Sequence, residues 1–467
     1  MKEENRNLKG LIIMLDHHVG KFTEQSQLIK EIASGLEVFW KNPCYLPAEE
    51  ANRYTKYSMK DIEDAEERLQ RFAPYIKIAF PETEESNGII ESEIIEITAM
   101  KKWLNEINEK NVEGNLWLKR DDMLPISGTI KARGAIYEVL KHAETVALEQ
   151  GLLKSIEEDY SVFASKEFRD FFAKRYIAVG TTGNLGISVG RMGSKLGFNV
   201  TVHMSVEAKQ WKKDYLRSKG VRVIEHETNF SKAVEQGRAE SNANPNSYFV
   251  DDEHSEELFL GYTVGGYRMK KQLEDKGIVV DENHPLFVYL PCGIGGSPSG
   301  ITFGLKQAFG DNVHCIFAEP TKMPSMLLGL ESKLYDEISV EEIGLGGITV
   351  ADGLAVPRTS GLVAKLMHNY FSAGYSLKDE TFRRILWNLY DKESVFLEPA
   401  AVAGLAGPHK LLESKEGQSY LKKNNLKNKL HQATHIAWAT GGSMVPDDNR
   451  EVFLEEGKAV SEQLAKF

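Results

Sequence analysis

The segment Ser127-Gly128-Thr129-Ile130-Lys131-Ala132-Arg133-Gly134 sets a lysine at the start of a helical pattern, with small residues ahead of it. A buried lysine amine sheds its proton more readily than a solvated one and can then form a Schiff base with an aldehyde. A second segment, Gly180-Thr181-Thr182-Gly183-Asn184-Leu185-Gly186, directly follows an apolar run that ends at Val179. Backbone N–H groups and hydroxyls at a strand–helix junction suit a carboxylate or a phosphate. A third, Pro291-Cys292-Gly293-Ile294-Gly295-Gly296-Ser297-Pro298-Ser299-Gly300, follows the run 286–290. Its clustered glycines let an anion reach the backbone at a helix N-terminus. The fourth, Ala439-Thr440-Gly441-Gly442-Ser443, closes the last apolar run and aims a hydroxyl at any ligand over the strand ends. Taken singly, each has a plainer reading: a surface lysine, a capped turn, an unliganded loop, a strand exit.

The third segment discriminates among phosphate ligands. Its pattern runs G-x-G-x-x-P, with Pro298 where a dinucleotide fingerprint needs glycine, although Glu319 ends the next apolar run 26 residues after Gly293. No G-x-x-x-x-G-K-[ST] occurs. A single-phosphate cradle fits better. His17-His18 and Asp251-Asp252-Glu253-His254 contain metal-ligand types, but neighbouring residues point different ways, so solvated loops are expected there.

These segments need a frame to hold them. Short apolar runs at 177–180, 200–204, 221–224, 286–290, 313–318 and 435–439 alternate with helical patterns from 185, at 208–219, at 231–243 and after 299. That rhythm predicts an α/β fold with mainly parallel sheets and right-handed crossovers. The first hundred residues read as a polar helical arm, with helix at 64–72 and a turn after Trp40 at Asn42-Pro43-Cys44. The acid-rich stretch 81–96 reads as a solvated connector.

Composition narrows the function classes. The chain has 467 residues, Lys+Arg 57 against Asp+Glu 68 and a net charge of −11, which disfavours nucleic-acid and anionic-membrane surfaces. No apolar stretch approaches the roughly 18 residues of a membrane span. The run 11–15 is too short for a secretory core, so a cytoplasmic protein is expected. Cys44, Cys292 and Cys315 are odd in number and lack C-x-x-C spacing, which argues against a disulfide scaffold and a thiolate zinc site.

In order along the chain, the four segments resemble those of the fold-type-II pyridoxal-phosphate enzymes, the tryptophan-synthase β-like group. LWLKRDDMLPISGTIKARGAIYEVL (116–140), DDEHSEELFLGY (251–262), PCGIGGSPSG (291–300) and WATGGSMVP (438–446) are similar, more closely, to the D-serine dehydratases within it. The resemblance spans nearly the whole chain. It implies two mainly parallel α/β sheet domains with a helical N-terminal arm: 1–115 the arm and the start of the large domain, 116–300 the lysine segment, the small domain and the return to the phosphate loop, and 301–467 the rest of the large domain. It implies that Lys131 carries pyridoxal phosphate as a Schiff base and that Gly293, Ile294, Gly295, Gly296 and Ser297 hold its phosphate. Ser297 stands where the family often has glycine, and its hydroxyl still donates to phosphate. Asn184 matches the partner of the ring hydroxyl, and Thr440 faces the ring nitrogen. Thr181, Thr182, Gly183 and Leu185 belong to the loop that receives the substrate carboxylate, and Thr182 also matches a second-face proton acceptor. Glu319 resembles a monovalent-cation ligand, with potassium as the candidate ion, and a monomer is the implied state. The implied reaction is β-elimination of D-serine to pyruvate and ammonia, with weaker action on D-threonine. An L-serine/L-threonine dehydratase, a serine racemase or a non-catalytic nucleotide- or amino-acid-binding protein are the alternatives.

Overall fold

The computed structural model describes residues 26–181, 183–206, 208–227 and 230–464. Eleven strands lie among them: β1 (Phe39–Lys41), β2 (Ile94–Glu96), β3 (Asn115–Arg120), β4 (Tyr176–Gly180), β5 (Asn199–Ser205), β6 (Arg222–His226), β7 (Ser247–Val250), β8 (Leu286–Pro291), β9 (Val313–Pro320), β10 (Ala373–Leu377) and β11 (Thr434–Ala439). Seven form one sheet in the order β1-β10-β9-β8-β11-β3-β2, and four form a second in the order β6-β5-β4-β7. The four-stranded sheet is wholly parallel. In the larger sheet only the edge strands β1 and β2 pair antiparallel. Every residue of β8, β9 and β11 is buried, as expected for parallel strands covered on both faces.

The helices that matter to the cleft are α1 (Met59–Ala79), α2 (Tyr137–Glu149), α3 (Asn184–Leu196), α4 (Gln210–Ser218), α5 (Glu256–Asp275), α6 (Gly296–Phe309) and α7 (Ser325–Ser332). A capping box of Ser58 and Asp61 starts α1. Helices α5 and α6 pack backbone to backbone: a Cβ on Gly304 would lie 2.0 Å from the Thr263 carbonyl oxygen, and one on Gly300 2.4 Å from Tyr262 Cβ. Only glycine permits that approach. Among the described residues no helix is long and apolar enough to cross a membrane.

One expectation needs correcting. The stretch 81–96 is not a solvated connector, because β2 occupies its end and pairs with β3. Within it, Glu91 accepts hydrogen bonds from Lys119 at 2.9 Å and from Arg133. The acidic residue looks solvated only while its basic partners, distant in sequence, are unknown. Trp40 belongs to β1 and is buried, and the turn begins after it, where Asn42 Oδ1 accepts the Cys44 N–H. The helix behind Lys131 opens with a π-helical turn, Ala132–Ile136, before α2. The N-terminal arm is helical in α1 and also supplies both antiparallel edge strands.

Candidate active site

Strands β4, β8 and β11 end at one cleft, the usual place for ligands in parallel α/β sheets. The cleft encloses about 710 Å³ of atom-free space, counting the part open to solvent, and Lys131, Asn184, Gly295 and Thr440 all line it. The lysine segment is stitched to the end of β11. The Thr440 carbonyl accepts the Ile130 N–H at 2.9 Å and the Thr129 hydroxyl at 2.8 Å. Lys131 Nζ lies 5.7 Å from the centre of the buried Tyr262 ring.

Behind Lys131 stands a buried ionic cluster. Arg133 donates to both oxygens of Asp121 at 2.7 Å, and Trp438 Nε1 donates to the same carboxylate at 2.7 Å. Burial raises the pKa of Glu91, but Arg133 and Lys119 outweigh it and hold that carboxyl well below its ordinary value. The cluster thus ties the turn that carries Lys131, through Arg133, to Asp121 and Glu91.

The glycine loop after β8 forms a cradle. Gly295 has φ +108°, and a Cβ there would meet Met326 Cε at 2.3 Å. The Ile294 carbonyl is pinned by the Ser360 N–H at 2.9 Å and the Thr359 hydroxyl at 3.0 Å. Helix α6 starts at Gly296, and its first-turn N–H groups have no intrahelical acceptor. Such a helix start favours an anion.

Across the cleft, Thr181 Oγ1 accepts the Gly183 N–H at 3.0 Å. Asn184 and Leu185 form the first turn of α3, the helix expected from 185, and Asn184 lines the cleft. Asn184 Nδ2 donates to Glu398 Oε1 at 2.8 Å. Burial pushes the Glu398 pKa up, and the nearby Lys212 opposes this. Thr182 and the His17-His18 pair lie outside the described residues.

The 251–254 segment is not simply a solvated loop. Arg238 pairs with Asp251 at 2.6 Å and Glu253 at 2.7 Å, while Asp252 lines the cleft with a buried Oδ1 that has no hydrogen-bond partner. Glu319 is fully buried, and its two oxygens accept the Met326 and Leu327 N–H groups at 2.8 and 2.9 Å at the start of α7. Burial pushes its pKa up to about 8 despite those donors. Lys212, Asp352 and Glu398 surround or line the site but carry no signal in the sequence: none sits in a glycine-rich turn, and each type is common on surfaces.

Residues 95–421 match the family model described as pyridoxal-phosphate dependent enzyme. The chain is 54% identical, over 95% of its length and 97% of the other's, to a Geobacillus stearothermophilus protein named "Probable D-serine dehydratase". It is 55% identical, over 93% and 97%, to a protein of the same name from Bacillus mycoides (strain KBAB4). Among solved structures it is similar to diaminopropionate ammonia lyase from Escherichia coli in complex with D-serine, with TM-score 0.66, 16% identity and coverage of 91% and 98%. A fungal L-serine ammonia-lyase from Rhizomucor miehei is similar with TM-score 0.57, 17% identity and coverage of 78% and 98%. At these identities the structural likeness concerns the fold.

Proposed function

We propose, from the premise that this chain belongs to the pyridoxal-phosphate-dependent enzyme family, that it is a carbon–nitrogen lyase acting on D-serine, with weaker action on D-threonine. The observation that carries this reading is the convergence of Lys131, the Gly295 cradle, Asn184 and Thr440 on one cleft. The residues fit pyridoxal phosphate: a glycine cradle that a side chain would fill, a helix N-terminus for its phosphate and a lysine for its aldehyde. When bound, that cofactor draws electrons from Cα of an attached amino acid and so acidifies the Cα proton.

The chain's own groups do the rest. Lys131 supplies the amine that holds the aldehyde, and Gly293, Ile294, Gly295, Gly296 and Ser297 hold the phosphate. Asn184 receives the ring hydroxyl. Thr440 offers the ring nitrogen a neutral hydroxyl, a poor proton source, which favours prompt departure of the β-hydroxyl. Thr181, Thr182, Gly183 and Leu185 receive the carboxylate, and Thr182, which matches the family's second-face proton acceptor, takes the Cα proton of a D-amino acid. Loss of that proton with β-hydroxide removes one water, and hydrolysis of the released enamine gives pyruvate and ammonia. We place the enzyme in the cytoplasm as a monomer, and its three free cysteines suit a reducing compartment.

A panel of D- and L-serine and D- and L-threonine with keto-acid detection tests the reading. D-serine should turn over fastest. Faster L-serine or L-threonine turnover assigns the chain to the L-specific dehydratases, and net racemisation without keto acid assigns a racemase.

A further inference from the structure

Four lysines are almost fully buried among the described residues: Lys119, Lys212, Lys213 and Lys306. Three are well satisfied. Lys119 Nζ donates to Glu91, Gln272 and the Ser92 carbonyl, Lys213 to Glu225 and the Val206 carbonyl, and Lys306 to Tyr45 and the Val313 carbonyl. Lys212 differs. Among the described residues its ammonium makes one hydrogen bond, to Asp352 Oδ2 at 3.4 Å, and the Trp211 ring centre lies 5.5 Å away. Charged N–H to carboxylate bonds run at roughly 2.7–2.9 Å, and an ammonium has three donors. A buried cation left so weakly engaged is costly unless another acceptor joins it.

The place where an acceptor would join is defined. Lys212 lies in the first turn of α4, and its stem runs over Gly183, where a Cβ would be 2.2 Å from Lys212 Cδ. Lys212 lines the cleft together with Asn184 and Thr181. Lys131 and Lys212 are the two cations of that lining, and Lys131 is committed to the cofactor aldehyde. Burial lowers the Lys212 pKa, but Asp352 and Glu398 outweigh it and hold the pKa above its ordinary value, so the side chain acts as a cation rather than a base. Resting on the amino-acid lyase reading, we infer that Lys212 is a substrate-recognition residue whose ammonium provides the counter-charge for the substrate's α-carboxylate.

The test uses the cofactor-loaded enzyme and D-alanine, which has no β-hydroxyl to lose, with D-alaninamide as the ligand lacking the anionic carboxylate. Binding is followed by calorimetry, and cofactor content by absorbance after dialysis. Lys212→Met should weaken D-alanine binding about tenfold or more, the loss of a charge-assisted contact, and leave D-alaninamide within about twofold. Lys212→Gln should do the same and serves if the Met variant does not fold. Unchanged D-alanine affinity overturns the inference. Parallel loss of both ligands makes Lys212 a structural tie to Asp352, and loss of cofactor makes it a phosphate contact; either also overturns it. Wild-type protein that neither binds D-alanine nor turns over D-serine sinks the lyase reading, and the inference with it. Wild-type binding with unaltered selectivity in the variants sinks the inference alone.

Discussion

At the scale of single residues, Lys131 and Gly295 bear most directly on the chemistry. Lys131→Ala removes the amine but none of the contacts between Thr129, Ile130 and Thr440. The variant should fold with an unchanged circular dichroism spectrum and lose at least about 100-fold in turnover. Borohydride should no longer fix cofactor to the chain, and an adduct mapped to another lysine would contradict the assignment. Gly295→Val meets two obstacles, a left-handed φ of +108° and Met326 Cε at 2.3 Å. We expect a stability cost of about 1–3 kcal/mol and faster cofactor loss on dialysis. Full retention would mean that the phosphate sits elsewhere.

At the scale of elements, the contact between α5 and α6 sets where the phosphate helix begins. Gly304→Ala should gain about 1 kcal/mol of helix propensity, yet its methyl would sit 2.0 Å from the Thr263 carbonyl. Overpacking against backbone costs about 1–3 kcal/mol, so a lower melting temperature and weaker cofactor binding are expected together. A stabilised variant would show that the helices separate freely. The ionic cluster behind Lys131 makes a pH prediction. Glu91 has a folded pKa well below the ordinary 4.5, so its stabilising contribution is complete above that value and is lost as pH falls below it. Glu91→Gln should lower stability near neutral pH by about 3 kcal/mol and flatten the decline below about pH 4.5, as read from urea midpoints. Parallel pH curves for the two proteins would remove Glu91 from the account of acid unfolding.

For the whole molecule, the cleft draws on both sheets: Thr181 and Asn184 follow β4 of the smaller one, while Pro291 ends β8 and Thr440 follows β11 of the larger. A ligand held by both stabilises their arrangement by mass action, about 4 kcal/mol at a thousand times its dissociation constant. Calorimetry should therefore show one sharp transition with pyridoxal phosphate and a lower, broader or split one after its removal. Identical traces would mean that the cofactor does not bridge the two sheets.

The sequence by itself determined the alternation of apolar runs and helical patterns, and with it a parallel α/β frame. It also marked Lys131, the Gly293 loop, Asn184 and Thr440, because a reactive amine and a backbone anion site leave local signatures in small residues and turn chemistry. Strands β1, β2, β3, β7 and β10 escaped, since they are short and, in β3 and β10, Lys119 and Ser376 interrupt apolar runs that tertiary partners later bury. Only the tertiary structure decided the fate of charged residues. Glu91 looked solvated until Arg133 and Lys119 folded onto it, and Lys212 is one of two adjacent lysines until α4 turns it into the cleft and leaves Lys213 at Glu225. A charge is stabilised or stranded by partners at any distance along the chain, so its role is set by three-dimensional neighbours that no local spacing encodes.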